Sequence, residues 1–137
     1  MSELVETVAP TRAQIEHLEA VIATAPQVEL PLIHGFGPGF YARSMMIPAG
    51  TVLTGKVHAT EHIFMLTKGD ISITTAEGVK RVQAPYQAIC PPGSKRAGYA
   101  HTDCVCVNIH ITEQQDLAAL EAELIIAPAL PAPAQEE

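Results

Sequence analysis

Apolar positions in this chain change their period twice. Ile15, Leu18, Val21 and Ile22 recur at intervals of three and four, the repeat that lines one face of a helix. Thr11 stands three before Gln14, hydroxyl first and amide second, which is the spacing of a capping box, and Pro26 cannot continue a helix. A helix is therefore expected over 12–24. From about residue 40 to residue 111 the texture becomes short strand-like runs: FYARSMMI, TVLTGKVH, HIFMLT, ISITT, VKRVQA, YQAIC, KRAGYA and CVCVNIHI. Turn residues separate them at 48–50, 68–70, 76–78, 91–93 and 102–103, with Gly69 and Gly78 expected in turns between strands. About eight strands at this spacing predict an antiparallel barrel or sandwich and exclude a parallel α/β sheet.

After the strands, Thr112 and Gln115 repeat the Thr-x-x-Gln start, and Leu117, Leu120 and Leu124 extend it into a second helix over about 112–125. The expected organisation is an arm, helix and extended lead-in over 1–39, a barrel over 40–111, a C-terminal helix over 112–126, and a tail over 127–137. Residues 1–10 read as a mobile arm. Pro128, Pro131 and Pro133 make the tail extended chain outside the core.

Composition narrows the picture. The chain has 137 residues, enough for one domain, and 47% hydrophobic residues but only 4% aromatics and no Trp, so the core must be aliphatic. Charged residues are 17%, few for a soluble surface, which points to a covered face and a homo-oligomer. The net charge of −7 argues against a nucleic-acid partner. The start, MSELVETVAP, is acidic where a secretion signal is basic, and no apolar run reaches the ~20 residues of a membrane span. A cytoplasmic protein, or a soluble component of an assembly, is expected. Cys90, Cys104 and Cys106 lack CxxC spacing and read as small buried thiols in a reducing compartment.

The chemistry concentrates in GKVHATEHIFMLTKGD, residues 55–70. Strand alternation puts Lys56 and His58 on one side, and groups His62 with Phe64 and Leu66 toward an interior. His58 and His62 could chelate a metal if the chain turns between them, serve as acid and base without one, or simply be polar residues at a strand entry. His110, on the last strand, is the best third ligand; Glu61 and His101 are weaker. His17 and His34 read as surface or packing positions.

The spacing over residues 40–111 resembles the cupins. Their first motif is Gly, five residues, His-x-His, three or four residues, Glu, six residues, Gly; here Gly50, Lys56, His58, His62 and Gly69 fill that frame. Their second motif is Gly, five residues, Pro-x-Gly, two residues, His, three residues, Asn; here the frame falls on Pro85, Pro91, Gly93, Arg96 and Ala100. The resemblance implies an all-β, cupin-type antiparallel barrel (jelly roll) with short N- and C-terminal helices, and a site at the barrel mouth. Of the four ligand positions it defines, His58 alone keeps its residue type. Lys56 and Arg96 replace imidazoles, so the mouth is expected to take a small anionic ligand more readily than a bare cation. The metal form of the same site would use His58, His62 and His110 with Zn, Ni or Fe. Catalysis, if any, is expected to run through His58 and His62, with Lys56 and Arg96 binding substrate. The alternative is a non-catalytic structural or accessory subunit, of the kind carried in a phage virion.

Overall fold

Two antiparallel sheets packed face to face make up most of the computed structural model, which describes residues 9–126. One has five strands: β1 (Leu32–Gly37), β2 (Phe40–Ile47), β10 (Cys104–Ile111), β5 (His62–Lys68) and β8 (Tyr86–Cys90), in that order across the sheet. The other has four, in the order β3 (Val52–Thr54), β9 (Ala97–Ala100), β6 (Asp70–Thr75) and β7 (Gly78–Gln83). The short β4 (Val57–His58) pairs instead with β11 (Ile125–Ile126). The expected jelly roll is present, as an open sandwich rather than a closed barrel.

Alternation along the strands builds the core. Met45, Ile47, Phe64, Leu66, Ile71, Ile73, Cys90, Cys104 and Cys106 face inward from both sheets into one buried cluster. Each fully buried aliphatic side chain of this kind contributes about 1.5–3 kcal/mol over its exposed state. All three cysteines are free and buried. The Arg81 fork on Asp70, at 2.9 Å for both bonds, ties β6 to β7 and holds the Asp70 carboxyl at about 2.

The opposite face of the five-stranded sheet is apolar too. Positions alternate with the core set, so Ile33, Phe40, Ala42, Ile63, Met65, Ile89, Val105, Val107, Ile109 and Ile111 point outward, with Ser44 and Gln87 among them. Ile33, Ile89 and Ile111 are 57%, 67% and 75% exposed. None of these positions carries a charge, but exposed Lys68, the register partner of Val105, stands at the end of β5.

The first helix, α1 (Arg12–Ala23), matches expectation, with both capping-box bonds between Thr11 and Gln14 in place. The second does not start where the sequence suggested. Thr112 is buried, accepts from the Gln114 amide and donates to Glu123, so it bends the chain out of β10 instead of capping a helix. Asp116 takes over the capping role through the Ala119 amide, and α2 runs over Leu117–Leu124, ending in β11 rather than continuing to 126 as helix. The sheet also begins before residue 40. β1 falls in the expected extended lead-in, because Gly35 and Gly37 leave its alternation without side chains to display it. Gly69 and Gly78 both adopt positive φ at strand junctions, as expected of turn glycines. The expectation for the 127–137 tail, and most of that for the N-terminal arm, lies outside the described residues.

Candidate metal and ligand site

His58, His62 and His110 come from three different strands and meet inside the fold. β5 lies between β10 and β8, and Ile63 faces Ile109, so His62 and His110 project inward side by side. His58 reaches them across the tight connection 59–61. Its short strand is held on both sides: the His58 amide donates to Ser94 O at 3.1 Å, Gly93 N donates to His58 O at 2.7 Å, and Ala59 N donates to Leu124 O at 2.6 Å. The three rings stack, with centroids 4.1 Å apart for His58–His62, 4.9 Å for His62–His110 and 5.2 Å for His58–His110.

These imidazoles are buried, at 9%, 5% and 3% exposure. None of the three Nδ1 atoms has a hydrogen-bond partner among the described residues, an arrangement that normally costs free energy. Burial first, then the neighbouring His62 and His110 and the guanidinium groups of Arg43 and Arg96, pull His58 down to about 3. Burial, with His62 and Arg43, pulls His110 to about 4. His62 is lowered as well, mainly by burial, although the Thr60 backbone pulls the other way. The cluster is therefore three neutral imidazoles at neutral pH.

Does this set fit a metal ion? One ligating nitrogen from each histidine lies within 4.8 Å of the others. Metal–nitrogen bonds of about 2.0–2.1 Å at tetrahedral angles hold two ligands about 3.4 Å apart. Closing the set from 4.8 Å takes a movement of up to about 1.4 Å, shared among three side chains. Neutral, buried nitrogens lacking partners are what a divalent transition ion requires. The residues fit.

A cavity of about 100 Å³ opens beside the cluster. His58 and His62 line it with Arg43, Lys56 and Arg96, and Met45, Ile47, Phe64, Ile71 and Ile73 form its apolar walls. No Asp or Glu lines it. Arg96 lies over the Phe64 ring, 5.3 Å from its centroid, and its Nη1 is buried without a partner among the described residues. Burial pushes the Cys90 thiol up, and Arg96 beside it partly offsets that.

The rim is braced from outside. Lys95, with only 6% of its side chain exposed, pairs with Glu19 of α1 at 3.1 Å and donates to Gly55 O at 2.8 Å. Arg12 donates to Gly93 O at 2.9 Å. Helix α1 is thus fastened to both loops that carry Lys56, His58 and Arg96.

The structure brings together all five residues singled out from the sequence: Lys56, His58, His62 and Arg96 line the cavity, and His110 closes the cluster from the side of Tyr41. The Asp103 carboxylate accepts the Ala49 amide. Glu61 is exposed, and His101 sits in its expected loop, 2.7 Å from the Ser72 hydroxyl. His34 meets the Tyr41 hydroxyl at 2.6 Å. Arg43 and Lys95 were missed. Alternation in FYARSMMI could have found Arg43, since it shares the inward face with Tyr41, Met45 and Ile47.

No protein-family model matches the chain, and neither does any curated protein. Solved structures do. A cupin superfamily protein from Desulfitobacterium hafniense superposes with a TM-score of 0.53 at 9% identity, covering 66% of this chain and 86% of that one. KdgF from Halomonas sp. gives 0.55 at 13% identity, over 68% and 90%. A salicylate 1,2-dioxygenase from Pseudaminobacter salicylatoxidans gives 0.57 at 14% identity, over 82% of this chain but 35% of that larger one. At such identities the likeness speaks to architecture alone, and the architecture is consistent: this chain has the cupin fold.

Proposed function

We propose that this protein binds a divalent transition metal through His58, His62 and His110, and a small anionic molecule in the adjoining cavity. The observation that carries the metal is the trio of buried imidazoles held within 4.8 Å, each with an Nδ1 that has no partner among the described residues. Three nitrogen ligands with a position left open suit Zn, Ni or Fe(II), and such an ion supplies Lewis acidity to an oxygen of a bound ligand. Arg96 and Lys56 face the same space and would orient a carboxylate or phosphate there. A cavity of about 100 Å³ holds a ligand somewhat smaller than those taken by the ~150 Å³ cavity that admits benzene. A metal-free acid/base role for the histidines is less well supported, because an imidazole at about 3 is a weak base at neutral pH.

The pH dependence tests this reading. Unfolded histidines titrate near 6.5, whereas His58 and His110 in the fold sit at about 3 and 4. The folded chain therefore binds fewer protons than the unfolded one below pH 6.5. The stability from these groups is fully present above 6.5 and is lost as pH falls through 4 to 3. Within the folded protein, protons compete with metal only near the bottom of that window. Zinc titrated calorimetrically should bind one per chain, with an affinity at pH 5 within about tenfold of that at pH 7. No zinc at pH 7, or a thousandfold loss by pH 5, would count against the site.

A second reading, in which the chain serves as a structural or accessory subunit, draws support from the apolar outer face of the five-stranded sheet, which carries Lys68 at its end and no acidic residue among its outward positions. A copy of this chain is the occupant we propose for it. In a chain of net charge −7, two such faces can meet without like-charge repulsion. At ~4.8 Å between strands and ~3.4 Å per residue the face spans roughly 20 by 20 Å, about 400 Å² per partner, less than the ~600–1,000 Å² of a standard interface, so flanking residues must add to it. Ile89→Asp together with Ile111→Asp should convert a dimer to monomer in light scattering, with the fold retained. A wild-type monomer at micromolar concentration would argue against this pairing.

A further inference from the structure

Three cationic side chains and no carboxylate line the cavity beside the histidine cluster. Two of them, Arg43 and Arg96, line the same cavity as His58 and His62, so their guanidinium charges oppose added positive charge there. A divalent ion is added positive charge of a larger kind. The buried Nη1 of Arg96, without a partner among the described residues, is also a donor that an anion could satisfy. An anion in the cavity answers both demands, since it accepts from Arg96 and offsets the guanidinium charges that oppose the ion.

We infer that metal and anion bind this site cooperatively, with Arg43 and Arg96 as the coupling residues. The inference rests on the metal reading above and adds to it the identity of Arg43, the class of ligand and the linkage between the two. The anion is a short-chain monocarboxylate. Its carboxylate meets Arg96 and Arg43, and its apolar end packs on Phe64, Ile71 and Ile73, side chains with no polar group to offer, with Lys56 as the remaining cation of the lining. Linkage is reciprocal, so each ligand must tighten the other by the same factor.

The guanidinium groups have an unusual consequence under this scheme. With no anion present they weaken metal binding, so removing one should strengthen it. A merely structural arginine would do the opposite, because its loss loosens the site.

The experiment is a calorimetric titration of Co²⁺ into the full chain, in a non-coordinating buffer, with and without saturating propionate. The Co²⁺ dissociation constant should fall by about ten- to a hundredfold when propionate is present, the usual range of such couplings. Propionate should gain the same factor from Co²⁺. Arg96→Met and Arg43→Met should each bind Co²⁺ more tightly than wild type without propionate, and should lose most of the coupling. Arg96→Lys, which keeps the charge, guards against misfolding and should restore part of it. Stoichiometric Co²⁺ binding of equal affinity with and without propionate overturns the coupling while leaving the metal site intact. Absence of Co²⁺ binding in wild type overturns the metal reading and the coupling with it.

Discussion

Replacing His58 with alanine is expected to abolish stoichiometric metal binding, with a loss of at least about a hundredfold in affinity, since even a residue that only supports a ligand costs about 10–100-fold. His62→Ala should do the same, and His110→Ala should match them, because the three nitrogens form one set. His101→Ala is the control: its ring meets Ser72 in a loop outside the cluster, and metal binding should survive the change. Stability separates the cases further. Metal at a hundredfold excess over its dissociation constant stabilises a binder by about 2.7 kcal/mol. Wild type and His101→Ala should therefore gain melting temperature on adding zinc, and the three cluster variants should not. If His58→Ala kept its zinc-dependent gain, the ligand set would have to be redrawn.

Gly69→Ala should be the most damaging single methyl in the fold. Gly69 has φ +101°, a conformation that side chains rarely adopt, and a Cβ there would press on Asp103 O and come within 2.7 Å of Cys104 Sγ and 2.9 Å of Cys104 Cα. Two of those three atoms are backbone of the neighbouring turn and strand, which cannot yield without disturbing β10. The combined strain and overlap come to about 3–5 kcal/mol, a large part of a typical total stability of about 5–15 kcal/mol. For a domain of this size that lowers the melting temperature by about 10 °C or more. Gly50→Ala separates the two causes. Gly50 has a similar φ of +84° with nothing within 4 Å of its added Cβ, so it carries the conformational cost without the collision. Equal losses from both variants would mean that contact contributes nothing at Gly69.

How much of this could be read from the residues follows a physical rule. Alternation and turn glycines are local, and they placed β5 and β6, the Gly69 and Gly78 turns and helix α1. Lys56, His58, His62 and Arg96 were legible because fixed intervals set them around shared turns. His110 was reachable because it occupies an inward position on the last strand. What escaped were features made by contacts distant along the chain. Nothing in the local pattern marks Lys95, and only Glu19 and Gly55, 76 and 40 residues away, make it a buried clasp. Arg43 gave its inward direction in the pattern, but its place beside the histidines depends on β2 pairing with β10. The start of α2 was missed because a Thr-x-x-Gln string reads alike whether the hydroxyl caps a helix or, as here, bonds Glu123 across a turn.

The pairing of β4 with β11 bears on the order in which the molecule is finished. His58 faces Ile125 in that register, so its strand has no partner on that side until some sixty-odd further residues have been synthesised. The β6–β7 hairpin can close as soon as it leaves the ribosome, since local contacts form first and distant ones later. The strand that carries His58 must wait. On a growing chain the sandwich can take shape around an incomplete histidine cluster, and the site is completed after the sheets rather than serving as a nucleus for folding.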